Sequence, residues 1–231
     1  LELSPKLLDP LFEEFRELVR GISMIRELTT RTHDYLVSFG ERMSCRLVSA
    51  HLTKIGVPSV PFDAFEAGLI TDSRFGEARP LDGVDERIRE KLEGLEAVPV
   101  ITGYIGQNES GDITTLGRGG SDYSASIFGA AMDAEEIQIW TDVDGVMTCD
   151  PRLDTSATRL ERLSFAEASE LAFYGAKVIH PMTMIPAIRK SIPIRVLNTN
   201  SPECEGTVIV DRLEEDEKGI KSITIKEHVA I

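Results

Sequence analysis

Three cysteines in 231 residues are too few and too scattered for a disulfide scaffold. Cys45, Cys149 and Cys204 form no CxxC pair and no Cys/His cluster, which excludes a structural zinc site by spacing. Reduced thiols in a cytosolic protein are expected. Basic charge is also short: 25 Lys and Arg stand against 39 Asp and Glu, a formal net charge of −14. Such a chain repels nucleic acid and anionic membrane surfaces at long range, so neither is expected as a partner. An anionic ligand would have to be held by a local positive site. No run approaches the roughly 20 apolar residues of a membrane span, and there is no charged-then-apolar leader. A P-loop of the form GxxxxGK[ST] is absent, as are internal repeats and low-complexity tracts. The chain also starts without an obvious first strand.

What is present is enough for a sizeable core, since 42% of the residues are apolar and 28% charged. From 7 to 19, Leu8, Leu11, Phe12, Phe15, Leu18 and Val19 recur at helical spacing, with Pro10 in the first turn. A second helix is predicted over 34–55, interrupted by Gly40 and stopped by Gly56. A strand-like pair follows at 57–62 and 68–71, then a helix centred on 85–92 and a buried strand at 98–104. Small residues over 122–132 suit a helix that lies close to a sheet, and 136–140 reads as the next strand. Ser164 and Glu167 have capping-box spacing at the head of a helix running to Tyr174, with Gly175 as its stop. A helix over 181–190 and strands at 192–197 and 207–210 complete the pattern. Strands alternating with helices predict an α/β layer fold with a largely parallel sheet. The charged segment 211–219 is expected to be a linker, and 220–231 the start of a further domain.

The stretch TTLGRGGSDYSA, 114–125, sets Gly117, Gly119 and Gly120 around Arg118 and leads through Ser121 and Asp122 into a helix. Backbone N–H groups at such a hinge, with the positive end of a helix dipole, suit an anion. Glycines with a capping serine would equally make a plain tight turn. Arg118 tips the balance, because its planar fork matches a carboxylate or phosphate and a turn has no use for it. GRGGSD is also a near miss to GxGxxG, with Asp142 at about ribose-binding spacing. Asp122 in the third glycine position and a weak preceding strand count against a dinucleotide site. A carboxylate there better suits phosphoryl chemistry with an intervening Mg²⁺.

Three further segments are candidates. WTDVDGVMTCDPR, 140–152, is a strand end followed by a polar loop, a usual place for ligand contacts, with Asp144 read as an ordinary turn residue. GAKVIHP, 175–181, places Lys177 between a glycine stop and a proline, where an ammonium could meet a phosphate. Gly40-Glu41-Arg42 puts a glycine inside a helix at a cost of about 1 kcal/mol, which suggests that something needs the space. Glu41 could take a substrate ammonium; a solvated surface carboxylate is the competing reading. His33, His51, His180 and His228 lack metal-ligand spacing.

Together SFGERMS (38–44), TTLGRGGSDYSA, WTDVDGVMTCDPR and GAKVIHP resemble the aspartate kinase family of the amino-acid kinase fold, a three-layer α/β/α sandwich. The resemblance implies ATP-dependent phosphorylation of the β-carboxylate of L-aspartate with Mg²⁺, the first step of lysine, threonine and methionine synthesis, by a cytoplasmic homodimer. It implies that Glu41 binds the substrate ammonium and Arg118 its α-carboxylate. Gly119, Gly120, Ser121 and Asp122 would organise the reacting centre, with Asp122 orienting Lys177 or the metal. Thr141, Asp142, Met147, Asp150, Arg152, Lys177 and Val178 would line the nucleotide site. Met147 stands where relatives often carry an aromatic. The family's opening Lys-Phe-Gly-Gly-Thr-Ser strand does not precede Leu1, so an N-terminally truncated catalytic domain is expected over 1–210, with 220–231 opening an ACT-like regulatory domain. Glutamate 5-kinase, acetylglutamate kinase and UMP kinase share the fold and are the alternatives, together with a module that binds ATP or aspartate without turnover.

Overall fold

Leu11, Phe15, Leu18 and Ile22 fall on one stripe of the first helix, α1 (Asp9–Ile25), and that stripe, not the wider face predicted, turns inward. Phe12 and Val19, both expected in the core, are 43% and 41% exposed. The protein is described by a computed structural model covering residues 4, 6–150, 152–174, 179–214 and 221–223. It divides into two compact units, 1–124 and 125–231.

In unit 1, α2 (Thr30–Lys54) is opened by Thr29, whose hydroxyl accepts from the Thr32 N–H at 3.1 Å. Phe39 of α2 is buried and meets Phe15 edge-on at 5.3 Å between ring centres. Burial of such a side chain contributes about 1.5–3 kcal/mol. The two helices are also tied by charge. Arg42 reaches Glu14 of α1 at 3.2 Å and Asp63 at 3.0 Å, and Arg46 takes the other oxygen of Asp63 at 2.7 Å. Asp63 ends β1 (Ser59–Phe62), which lies parallel to β3 (Val98–Ile101). β2 (Ile70–Thr71) pairs in parallel with β4 (Ile105–Asn108), and β4 runs antiparallel to β5 (Ile113–Thr115). The segments 57–62 and 68–71 are therefore strands in different sheets, not partners. β3, expected to be buried, has Val98 at 47% exposure. α3 (Val84–Leu92) buries Val84, Ile88 and Leu92.

The last helix of unit 1, α4 (Gly120–Ala131), continues into unit 2. Its small residues have the predicted use: a Cβ at Gly129 would fall 2.6 Å from Cγ1 of Ile137, so only glycine lets the helix lie this close to β6 (Ile137–Thr141). β6 pairs in parallel with β8 (Ile194–Asn198), and β7 (Arg162–Ser164) in parallel with β9 (Thr207–Val210), while β8 and β9 run antiparallel. Both bonds of the capping box between Ser164 and Glu167 open α5 (Phe165–Phe173). α6 (Pro181–Lys190) begins on a proline, as its sequence predicts. Ile137, Ile139, Leu163, Phe165, Met184, Ile194, Val196 and Ile209 form one buried cluster from these elements. The fold class is α/β with mostly parallel strand pairing, distributed among the described residues over three hydrogen-bonded sheets. Part of 211–219 and most of 220–231 lie outside the described residues. Residues 221–223 rest on unit 2, where the Ile223 N–H donates to Thr148 O at 2.8 Å and Ser222 Oγ to Met147 O at 3.1 Å.

Candidate substrate and nucleotide site

The glycine hinge grows out of β5. Leu116 N–H donates to Tyr104 O at 2.9 Å, and Gly117 then turns with φ +79°. A Cβ on Gly117 would lie 2.8 Å from Gly76 O, so both the dihedral and the close approach require glycine. Gly119 follows at φ +68°, the Gly120 N–H closes the turn on Gly117 O, and the Tyr123 N–H continues onto Gly119 O. The Gly120 and Tyr123 amides are thus already committed, which leaves the Ser121 and Asp122 amides of the first turn of α4 without an acceptor inside the helix.

The hinge is seated against the loop after β3. Ser124 Oγ donates to Gly120 O at 2.7 Å and accepts from the Tyr104 N–H at 2.8 Å. A Cβ on Gly120 would come within 2.6 Å of the Tyr104 ring, and one on Gly103 within 3.0 Å of Ser121. Tyr104 itself has φ +68°, a strained conformation for a tyrosine, and it is held there by the contacts at the hinge.

Unit 1 also carries three charges without partners among the described residues. Arg118 is exposed at the turn, Glu41 is half-buried on α2, and Asp122 is half-buried in the first turn of α4. Burial pushes the carboxyl groups of Glu41 and Asp122 above the usual carboxylate range. Ser121 is exposed beside them. A Cβ added to Gly40 would meet nothing within 4 Å beyond its own stretch of helix.

Unit 2 places the other predicted residues along the end of β6 and the loop that follows. Thr141 Oγ1 donates to Asp142 at 3.2 Å, and Thr141 O accepts from the Thr199 N–H. Asp144 accepts from Asn198 Nδ2 at 2.6 Å and has the structural role expected of it. Gly145 at φ +134° lies against Thr207, whose Oγ1 accepts from the Val146 N–H. From there the chain folds into a ribbon: Met147 bridges Arg159, and the Thr148 N–H donates to Thr158 O. At its tip Asp150 and Arg152 bind each other, with Nη2 2.6 Å from Oδ2, and this pairing raises the Arg152 pKa. Lys177 and Val178 lie outside the described residues.

A cavity of about 510 Å³ opens elsewhere on unit 1, lined by Glu14, Tyr35, Arg42 and Asp112 among others. Its cations are paired, Arg42 with Glu14 and Asp63 and Arg31 with Asp112, and it holds none of the predicted site residues. The charge network of Glu14, Arg42, Arg46 and Asp63 was not foreseen from sequence, which gives no sign of partners 17 to 28 residues apart.

Residues 12–198 match the amino acid kinase family. The whole chain aligns with 42% of chloroplastic aspartokinase 1 of Arabidopsis thaliana at 43% identity. It is 39% identical to lysine-sensitive aspartokinase 3 of Escherichia coli, with 87% of this chain and 46% of that protein aligned. Among solved structures it resembles E. coli aspartokinase III crystallised with aspartate and ADP, at a TM-score of 0.77 and 36% identity over 89% of this chain and 47% of that one. The chain spans less than half the length of these relatives.

Proposed function

The chain belongs to the amino acid kinase family, and from that premise we propose that the protein carrying it transfers the γ-phosphoryl group of ATP to the β-carboxylate of L-aspartate, giving 4-phospho-L-aspartate. The observation that carries this reading is that unit 1 holds one cation and two desolvated carboxylates, Arg118, Glu41 and Asp122, without partners among the described residues. An α-amino acid presents the complement of the first two: an ammonium for Glu41 and an α-carboxylate for the fork of Arg118. With both held, the second carboxylate is directed outward as the nucleophile.

Such a reaction needs little covalent help from the protein. The acceptor is already ionised, so no general base is required, and the task is positioning and neutralising the charge that spreads over the transferred group. The free first-turn N–H groups of α4, Ser121 among them, point their dipole at that charge. Asp122 would offer Mg²⁺ one carboxylate, the share a protein supplies beside substrate phosphates; among the described residues no group of three or more His, Cys, Asp or Glu side chains could hold the ion by itself. When bound, Mg²⁺ would neutralise phosphate charge. Thr141, Asp142, Met147, Asp150, Arg152, Lys177 and Val178 would contact the nucleotide. The product would feed lysine, threonine and methionine synthesis. A homodimer in the cytoplasm or another reducing compartment is the expected setting.

The test is hydroxylamine trapping of the acyl phosphate with ATP and Mg²⁺, comparing L-aspartate, L-glutamate and N-acetylglutamate. Aspartate-dependent hydroxamate is expected. Product with glutamate or N-acetylglutamate alone would reassign the substrate, and ATP binding without product would leave a binding module.

A further inference from the structure

We infer that Asp34 is a positioning residue that sets the spacing between the two charges that grip the substrate's amino-acid end; this rests on the proposed roles of Glu41 and Arg118. Asp34 lies in α2 and is 1% exposed. Its carboxylate is filled from two directions. Oδ2 accepts the N–H of Gly76 and the N–H of Thr115, each at 2.8 Å, and Oδ1 accepts the Thr115 hydroxyl at 3.0 Å.

Those two segments lead straight to the hinge. The Ala78 N–H donates to Thr115 O at 2.8 Å, so the chain around Gly76 runs alongside the end of β5. Arg79 Nη1 reaches Leu116 O at 3.4 Å, and Gly117 turns in contact with Gly76 O. One residue later comes Arg118. The carboxylate that holds Gly76 and Thr115 therefore holds both walls of the passage from which Arg118 emerges.

The second anchor of Asp34 is α2 itself. Asp34 and Glu41 are two turns apart on one stripe of that helix, a separation of about 10 Å along its axis. Asp34 thus joins the helix that carries the ammonium acceptor to the strand that carries the carboxylate fork. An amino acid whose ammonium and α-carboxylate are one carbon apart demands a fixed distance between its two holders. A side chain with three acceptor contacts to that strand, and no exposure to solvent, is the device that fixes it.

The experiment compares full-length protein with Asp34→Ala, Asp34→Asn and, as a destabilised control in the same unit, Leu69→Ala, a core residue with 0% exposure. Asp34→Ala should raise the KM for L-aspartate at least about tenfold while the KM for ATP stays within about twofold. Asp34→Asn retains one oxygen for the two N–H groups and should recover most of the loss. If Asp34→Ala does not fold, the asparagine variant carries the comparison. Equal rises in both KM values, as in Leu69→Ala, or an unchanged aspartate KM, would overturn the proposal. Amide exchange reads the same link without catalysis: the amides of Gly120 and Tyr123, in the turn beyond Arg118, should exchange faster in the Asp34 variants and not in Leu69→Ala. Wild-type exchange there would show that Asp34 does not hold the hinge. A wild-type protein that leaves aspartate unphosphorylated would sink the kinase reading alone, with the exchange result still deciding the role of Asp34.

Discussion

Units 1 and 2 treat the charged side chains expected at a ligand site in opposite ways. In unit 1, Glu41 and Asp122 are desolvated and unpaired among the described residues, and Arg118 stands open at a turn built around it. In unit 2, Asp150 and Arg152 neutralise each other at the tip of an exposed ribbon. A desolvated charge without a partner is a cost the rest of unit 1 must offset, and a ligand of opposite charge would relieve it. A solvent-exposed pair carries no such tension and can open for a ligand or stay closed at little difference in free energy. Under the proposed function, the small substrate would be recognised by the side chains of unit 1 and the nucleotide by a loop whose exposed pair can exchange partners.

Arg118→Ala should break this contrast most deeply. Loss of a charge-assisted bond worth about 1.5–3 kcal/mol corresponds to a roughly 10- to 150-fold fall in kcat/KM for aspartate; unchanged steady-state kinetics would remove Arg118 from the site. Gly117→Ala attacks the frame and not the charge. A left-handed alanine costs about 1–2 kcal/mol, and its Cβ would also meet Gly76 O, so denaturant unfolding should show a loss of at least that size. Full stability would mean that the hinge relaxes freely.

Glu41→Gln should weaken aspartate by about tenfold and an analogue lacking the amino group much less; equal losses would contradict an ammonium-binding role. The same residue predicts a pH effect. Because burial raises its pKa, Glu41 takes up a proton as pH falls while an ordinary glutamate, at about 4.3, is still ionised. The charged acceptor is lost, so kcat/KM for aspartate should decline from a higher pH in the wild type than in Glu41→Gln, with the KM for ATP flat. The same shift favours the protonated folded state, so its destabilising effect is present above the folded-state pKa and fades below it. The smallest effect is expected from Arg152→Ala. It should leave the thermal midpoint within about 2 °C of wild type and change only the KM for ATP; a larger fall would mean that the pair holds the ribbon together.

The sequence made the hinge legible because glycines and an arginine together have few other uses, and it made α6 and β9 legible because proline and β-branched residues mark their ends. β4 and β7 are not legible, and β5 reads only as a weak strand ahead of the hinge. They are three or four residues long, too short for periodicity, and β4 contains Gly106, Gln107 and Asn108, which become a strand only through pairing with β2 and β5. Phe12 and Val19 match the helical period yet face outward, since the period fixes a stripe and the packing partner fixes its width. Asp34 was invisible for a related reason. A carboxylate in an amphipathic helix looks solvated until its partners, 42 and 81 residues along the chain, are folded against it.

Cys45 offers a clock for that folding. Its buried thiol donates to Val100 O at 2.9 Å and Phe62 O at 3.5 Å, stitching α2 to both strands of the β1–β3 pair, and burial pushes its pKa up. Cys149 and Cys204, in unit 2, are partly accessible. A thiol reagent should therefore mark unit 2 at once and reach Cys45 only when unit 1 opens. The rate of that last modification times the opening of the frame that holds Glu41 and Arg118, and its slowing by aspartate would measure how firmly the substrate closes it.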